Sequence, residues 1–270
     1  MRFLPSVCGG GQGARRESPR HQESSCSFGG VRALDNVSLQ LEPGERRAII
    51  GTNGAGKTTL FNVINGQLAP SSGKIWILGE DATYAPIHRR AALGLGRTFQ
   101  ITSLFPRLSV LDNMLVAVAA LTRFHFVFWR PVAAHAEIIA RACETLARWN
   151  LWDLRDQLVG NLSYGMQRQL EIVLALAGSP KLLLLDEPMA GLSAAETHLA
   201  SDIILQLERS VTVLLIEHDL AASFRIADRV TAMAEGRVVA EGTPDEIRTD
   251  ATLRRIYKGA PAASGGAVRG

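Results

Sequence analysis

Short apolar runs recur along the chain, separated by polar stretches rich in turn residues. Arg47-Ala48-Ile49-Ile50, Lys74–Leu78, Lys181–Leu185, Val211–Ile216 and Arg229–Met233 read as strands, the second bounded by Gly73 and Gly79. Val31–Leu41 alternates apolar and polar positions, as a half-buried strand does. The runs around Leu182–Leu185 and Val211–Ile216 are nearly continuous, the pattern of strands covered on both faces. Helical signals lie between them. One helix starts at Leu60-Phe61-Asn62-Val63-Ile64, residues 101–160 are mostly helical, and Arg168–Ala177 is a long helix. Within the insertion, Ser109 with Asp112 forms a capping box, and 134–149 carries a further helix. Ser193 with Glu196 caps another helix, and Thr243, Pro244 and Glu246 open the last. Strands alternating with helices predict an α/β domain built on a mainly parallel sheet.

The ends of the chain differ from this pattern. Residues 1–25 are rich in Gly, Ser, Arg and Pro without periodicity, and 259–270 are rich in Ala and Gly; both read as disordered, leaving 26–258 as the folded domain. With 270 residues and 47% hydrophobic content, the chain can build a sizeable core. A net charge of +3 with a pI near 9.0 is spread along the chain and does not argue for nucleic acid. Cys8, Cys26 and Cys143 have no metal-like spacing and fit a reducing compartment. The longest apolar stretches, Leu115–Leu121 and Phe124–Trp129, are interrupted by Arg123 and His125, so no span of a bilayer is expected. The aromatic run at 124–129 reads as subdomain core or as a surface for a membrane partner.

The chemistry starts at Gly51-Thr52-Asn53-Gly54-Ala55-Gly56-Lys57-Thr58-Thr59, which fits the phosphate-cradling pattern G-x-x-x-x-G-K-[ST] between a strand and a helix. Its backbone N–H groups and the following helix N-terminus offer partial positive charge to an anion. Lys57 would reach the β- and γ-phosphates and Thr58 would hold Mg²⁺. Asp186-Glu187-Pro188 follows a four-leucine strand, at the end where an open α/β sheet collects its ligands. There Asp186 would bind Mg²⁺ and Glu187 would polarise the attacking water. Leu162-Ser163-Tyr164-Gly165-Met166-Gln167 opens a helix, where Ser163 and Gly165 offer a hydroxyl and exposed N–H groups; a plain N-cap has the same local appearance.

These three elements, with the Leu-Ser-x-Gly helix start lying between the P-loop and the Asp-Glu strand end, resemble the nucleotide-binding subunit of ABC transporters over about residues 28–258. The resemblance implies a P-loop NTPase core with a mainly parallel sheet, a small antiparallel β subdomain and a helical subdomain inserted at 101–165. It implies ATP as the nucleotide and assigns further positions. Arg97-Thr98-Phe99-Gln100 is similar to the Q-loop, with Gln100 contacting Mg²⁺ or the attacking water. Ala190-Gly191-Leu192-Ser193 is similar to the D-loop, with Ser193 where many relatives carry Asp. His218 corresponds to the switch histidine at the γ-phosphate, and Phe28 to the aromatic that stacks on adenine. Ser163 and Gly165 would serve the γ-phosphate of a second, antiparallel ATPase subunit, either a copy of this chain or a paralogue. The family also implies transmembrane permease partners, indirectly a substrate-binding protein, and a peripheral location on the cytoplasmic face of the inner membrane.

Finer motifs resemble the ATPases of branched-chain amino acid importers. They include 101–105 after Gln100, Gln167–Ile172, Pro188–Ser193, Ile216–Asp219, Gly242–Ile247 and Arg255–Gly259. Urea or amide importers, the lipopolysaccharide exporter and a catalytically impaired paralogue are the alternatives. Two departures carry expectations. Met166 replaces a polar residue in the signature. Arg16–Ser27 is polar where relatives have an apolar strand, so that edge of the antiparallel sheet is expected to be missing and nucleotide affinity lowered. A nucleic-acid ATPase would need coiled-coil or zinc insertions, and a GTPase an Asn-Lys-x-Asp guanine reader; neither pattern occurs.

Overall fold

The computed structural model describes residues 2–4, 24–28, 31–98, 104–120 and 136–251. The elements run β1 (Arg2–Leu4), β2 (Ser24–Phe28), β3 (Val31–Val37), β4 (Arg46–Gly51), α1 (Lys57–Asn65), β5 (Lys74–Ile77), β6 (Glu80–Asp81), α2 (Ile87–Ala92) and β7 (Leu95–Arg97). They continue with α3 (Val110–Ala120), α4 (Ala136–Arg148), α5 (Tyr164–Leu176), β8 (Leu182–Asp186), α6 (Ala194–Leu205), β9 (Thr212–Ile216), α7 (Leu220–Ile226), β10 (Arg229–Ala234), β11 (Arg237–Gly242) and α8 (Pro244–Thr249).

The central sheet has the order β11-β10-β4-β9-β8-β7 and is parallel except at the β10–β11 edge pair. Its apolar runs are continuous because side chains alternate between two buried faces. Ala48, Ile50, Leu183, Leu185, Val213 and Leu215 enter one hydrophobic cluster, roofed by Ile204 of α6 and Ile226 of α7. Ile49, Leu184, Leu214 and Ile216 enter the opposite cluster with Leu60, Phe61 and Ile64 of α1. A third cluster joins α3, α4 and α5. There Ile138, Ala142 and Leu146 recur every four residues, forming the buried stripe of α4. Two small antiparallel sheets, β1-β5-β6 and β2-β3, complete the fold.

The expected caps form. Ser193–Glu196 and Thr243–Glu246 make full capping boxes, and the Ser109 hydroxyl accepts from the Asp112 N–H at 3.0 Å. The C-terminal end of α1 is held by Arg90, a buried guanidinium that donates to Val63 O at 2.6 Å and to Ile64 O. The same side chain reaches Ala85 O at 2.8 Å and Thr83 O at 3.1 Å.

The polar N-terminal stretch requires a correction. Ser24–Phe28 is a strand, antiparallel to β3, with Phe28 opposite Val31. Arg2–Leu4 also pairs, with Lys74–Trp76. Strand pairing is made by backbone N–H and C=O groups, so Ser-Ser-Cys-Ser can pair when a β-favouring partner lies next to it. Here only Gly29-Gly30 separates the two strands in sequence, the dipeptide type that a tight hairpin connection favours. The lowered nucleotide affinity expected from a missing edge therefore loses its structural ground. The expectations at Gln100, the aromatic run 124–129 and the tail 259–270 lie outside the described residues.

Candidate active site

β4 runs into the Gly51–Thr59 loop at the carboxyl end of the central sheet. At Gly54 the backbone φ is +80°, and at Gly56 it is +93°, a region that side chains disfavour. Gly56 is needed twice over, because a Cβ there would come within 2.6 Å of Ala33 O. Gly56 is also the N-cap of α1 and supplies no side-chain cap, so the first N–H groups of α1 are left for another acceptor. Lys57 is buried and folds back across the loop, donating to Gly51 O at 2.6 Å and Thr52 O at 3.0 Å. Burial lowers its pKa, while the charges of Glu187 and Asp186 act in the opposite direction.

β8 delivers Asp186 to the same end of the sheet, with 1% of its surface exposed. Its Oδ2 accepts from Arg97 Nη2 at 3.2 Å. Its Oδ1 is buried with no hydrogen-bond partner among the described residues. Burial raises the Asp186 pKa, and the Arg97 guanidinium opposes that shift. The next residue, Glu187, has φ +49°, a conformation that costs a non-glycine residue energy. Glu187 Oε1 lies 2.7 Å from Nε2 of His218, which follows β9.

A cleft of about 600 Å³ is lined by residues 53–59, Glu187, His218 and Ala33 of β3, while Asp186 is not part of its lining. Ser163 and Gly165 are not among the residues lining it. Ser163 is the N-cap of α5, its Oγ accepting from the Met166 N–H at 3.2 Å. Gly165 is buried against α6, where a Cβ would come within 2.2 Å of Glu196 Oε1. Met166 is exposed beside them. The backbone of Phe28 lies in β2, next to the strand that borders the cleft, while Gln100 is outside the described residues. A larger groove, about 880 Å³, runs along α4 past Lys181 and Val211 and holds none of the motif residues.

Sequence reading does not single out Arg97 as the partner of Asp186, because the two are 89 residues apart. Arg97 also donates to Asn62 Oδ1 at 3.0 Å and Gln67 Oε1 at 2.8 Å, joining β7, α1 and β8. The signal available beforehand was a lone cation just ahead of Thr98, whose hydroxyl receives the Asp186 N–H at 3.3 Å.

A glycine loop with its lysine, at the carboxyl ends of parallel strands and facing a carboxylate–histidine pair, defines a P-loop nucleoside triphosphatase. The pattern of the ABC transporter family matches residues 34–190. The chain is 38% identical to the high-affinity branched-chain amino acid transport ATP-binding protein BraF of Pseudomonas aeruginosa, over 86% of this chain and 94% of that protein. It is also 38% identical to LivG of Escherichia coli, over the same shares. To the lipopolysaccharide export system ATP-binding protein LptB of Haemophilus influenzae it is 33% identical, over 86% and 93%. Among solved structures, the ADP conformation of MJ1267, an ATP-binding cassette of an ABC transporter, superposes with a TM-score of 0.79 at 30% identity, covering 88% of this chain and 97% of that one. The dimeric post-hydrolysis state of the cassette MJ0796, bound to ADP and Pi, superposes with a TM-score of 0.68 at 25% identity, covering 82% and 96%. The chain belongs to the ABC transporter family and is an ATPase. None of its described helices is long and apolar enough to cross a membrane.

Proposed function

We propose that this chain is the ATP-hydrolysing subunit of an importer for branched-chain amino acids, working from the cytoplasmic face of the inner membrane on a partner permease. The observation that carries the catalytic part is the 2.7 Å contact of Glu187 with His218 across the cleft from the Lys57 loop. In this reading Lys57 and the N–H groups of residues 53–59 hold the phosphates of ATP, Glu187 takes the proton of the attacking water, and His218 touches the γ-phosphate. Phe28 stacks on adenine.

The donor set fits Mg²⁺. Asp186 Oδ1 is a buried carboxylate oxygen with no partner among the described residues, and Thr58 offers an exposed hydroxyl, both hard oxygen ligands. Thr58 and Asp186, together with Gln100, would hold the ion, which when bound offsets the negative charge of the phosphates.

Ser163 and Gly165 serve a second subunit. They lie outside their own cleft, and the ADP- and Pi-bound MJ0796 cassette is dimeric. ATP shared between two such subunits would close the pair, and its hydrolysis would release it. The permease would dock at the apolar groove of about 370 Å³ between β7, α3 and α5, where Phe105 and Val116 are exposed. Kinship to BraF supports the substrate class, and kinship to LptB supports lipopolysaccharide export as the second reading. The test is uptake of radiolabelled leucine by cells lacking the chain and complemented with the native or the Lys57→Ala form. Restoration by the native form alone supports the importer reading. Leucine uptake indifferent to the chain, with lipopolysaccharide retained in the inner membrane, would replace it with the exporter reading.

A further inference from the structure

The geometry points to Glu217 as a positioning residue that fixes the Glu187–His218 contact by clamping together the two loops carrying them. The inference rests on the roles of Glu187 and His218 proposed above.

Glu217 directly follows β9, yet only 2% of its surface is exposed. Among the described residues neither carboxylate oxygen accepts from a cationic side chain; both accept backbone N–H groups. Oε1 accepts from Met189, on the loop after β8, at 2.8 Å. Oε2 accepts from His218, on the loop after β9, at 3.2 Å. The backbone N–H of Glu217 itself donates to Ile49 O at 3.3 Å, tying the clamp to the strand that feeds the phosphate loop. Pro188 has no N–H, so Met189 offers the first donor available after Glu187.

The result is a closed circuit. Glu187 reaches His218 through their side chains, His218 reaches Glu217 through its backbone, and Glu217 returns to the Glu187 loop at Met189. A side-chain contact between two loop residues is easily lost when either loop shifts. A second tie one residue along one loop and two along the other removes that freedom, which matters because Glu187 is already held at φ +49°. The clamp needs the carboxylate. A carboxylate accepts at both oxygens, whereas an acid or an amide turns one of its two positions into a donor facing an N–H.

Burial pushes the Glu217 pKa up to about 7, with the two backbone N–H groups opposing. The charged groups facing it, Glu187 from the β8 loop and Asp219 from its own loop, are both acids and push it the same way as burial. The clamp therefore loosens as pH falls below about 7.

The test compares the full-length native chain with Glu217→Gln, Glu217→Asp and Glu187→Gln, measuring ATP affinity, kcat and the pH profile of kcat. Melting temperature serves as the check on folding. The expected result for Glu217→Gln is ATP affinity within about twofold of native, kcat lower by roughly ten- to a hundredfold, and loss of the rate limb centred near pH 7. Glu217→Asp keeps the charge but is one methylene short, so its kcat falls between the two and its limb persists. If Glu187→Gln is inactive while both folded Glu217 variants turn over at the native rate, the inference is overturned and the reading of Glu187 stands. A native pH profile in Glu217→Gln, with kcat and melting temperature lowered in step, would reduce the residue to a structural one and also overturn it. An active Glu187→Gln would remove the reading on which both rest.

Discussion

Replacing Arg90 with methionine should destabilise the domain more than any surface substitution. The guanidinium is 1% exposed and carries bonds to Val63, Ile64, Thr83 and Ala85 carbonyls. Val63 and Ile64 are near the C-terminal end of α1, where orphan carbonyls and the helix dipole both favour a cation. Burial lowers the Arg90 pKa to about 10, so the group remains charged at neutral pH. Methionine approximates the aliphatic stem but donates nothing. One carbonyl keeps a second partner, since Val63 O also accepts from the Gly66 N–H at 3.3 Å. The others are left short of a partner at about 1–3 kcal/mol each, and water entry recovers part of that, so the net loss is about 4 kcal/mol. For a domain of this size that is a fall in Tm of roughly 8–16 °C. Arg90→Lys, with three donors on a shorter reach, should recover about half. Urea unfolding followed by circular dichroism measures the difference. A loss below about 1 kcal/mol in Arg90→Met would show that these carbonyls find other partners, and would refute the assignment of Arg90 as the anchor of α1.

Other perturbations separate the forces at work. Leu184→Ala removes a fully buried side chain from the centre of the sheet and should lower unfolding free energy by about 3 kcal/mol, read from the same denaturation curves. Gly56→Ala should abolish tight ATP binding in a fluorescent-nucleotide titration, because its Cβ meets the Ala33 carbonyl at 2.6 Å; Gly54→Ala, with nothing within 4 Å, should retain measurable binding. Burial of the charged Glu217 carboxylate outweighs its two clamp bonds and gives a folded pKa of about 7, above its unfolded value; although protonation loosens the clamp, the group's net contribution to stability is full below the unfolded pKa and is lost as pH rises through about 7. Native stability should thus fall relative to Glu217→Gln between pH 5 and pH 8; equal slopes for the two proteins would refute the burial of a titrating acid there.

Much of the site was readable because each element carries a local code. The phosphate loop is contiguous, the strand ahead of Asp186 is four leucines, and the caps at Ser109, Ser193 and Thr243 are short-range patterns. What escaped depends on long-range or backbone contacts. β7 is Leu95-Gly96-Arg97, too short to show a period, and Gly96 is there because a Cβ would come 2.9 Å from Ala175 O. β2 reads as polar because its pairing uses backbone groups rather than an apolar face. The Arg97–Asp186 pair and the Glu217–Met189 clamp join residues distant in the chain, and only the assembled sheet reveals them.

In the proposed mechanism Glu187 activates water for hydrolysis of ATP held by the Lys57 loop. The most direct test of this step is the rate of phosphate release by the purified chain beside Glu187→Gln, with bound nucleotide and oligomeric state followed by size-exclusion chromatography. Turnover by the native chain is expected, with a fall on the order of a hundredfold or more in the variant and accumulation of the variant as an ATP-bound dimer. Phosphate release by Glu187→Gln at the native rate would contradict the mechanism.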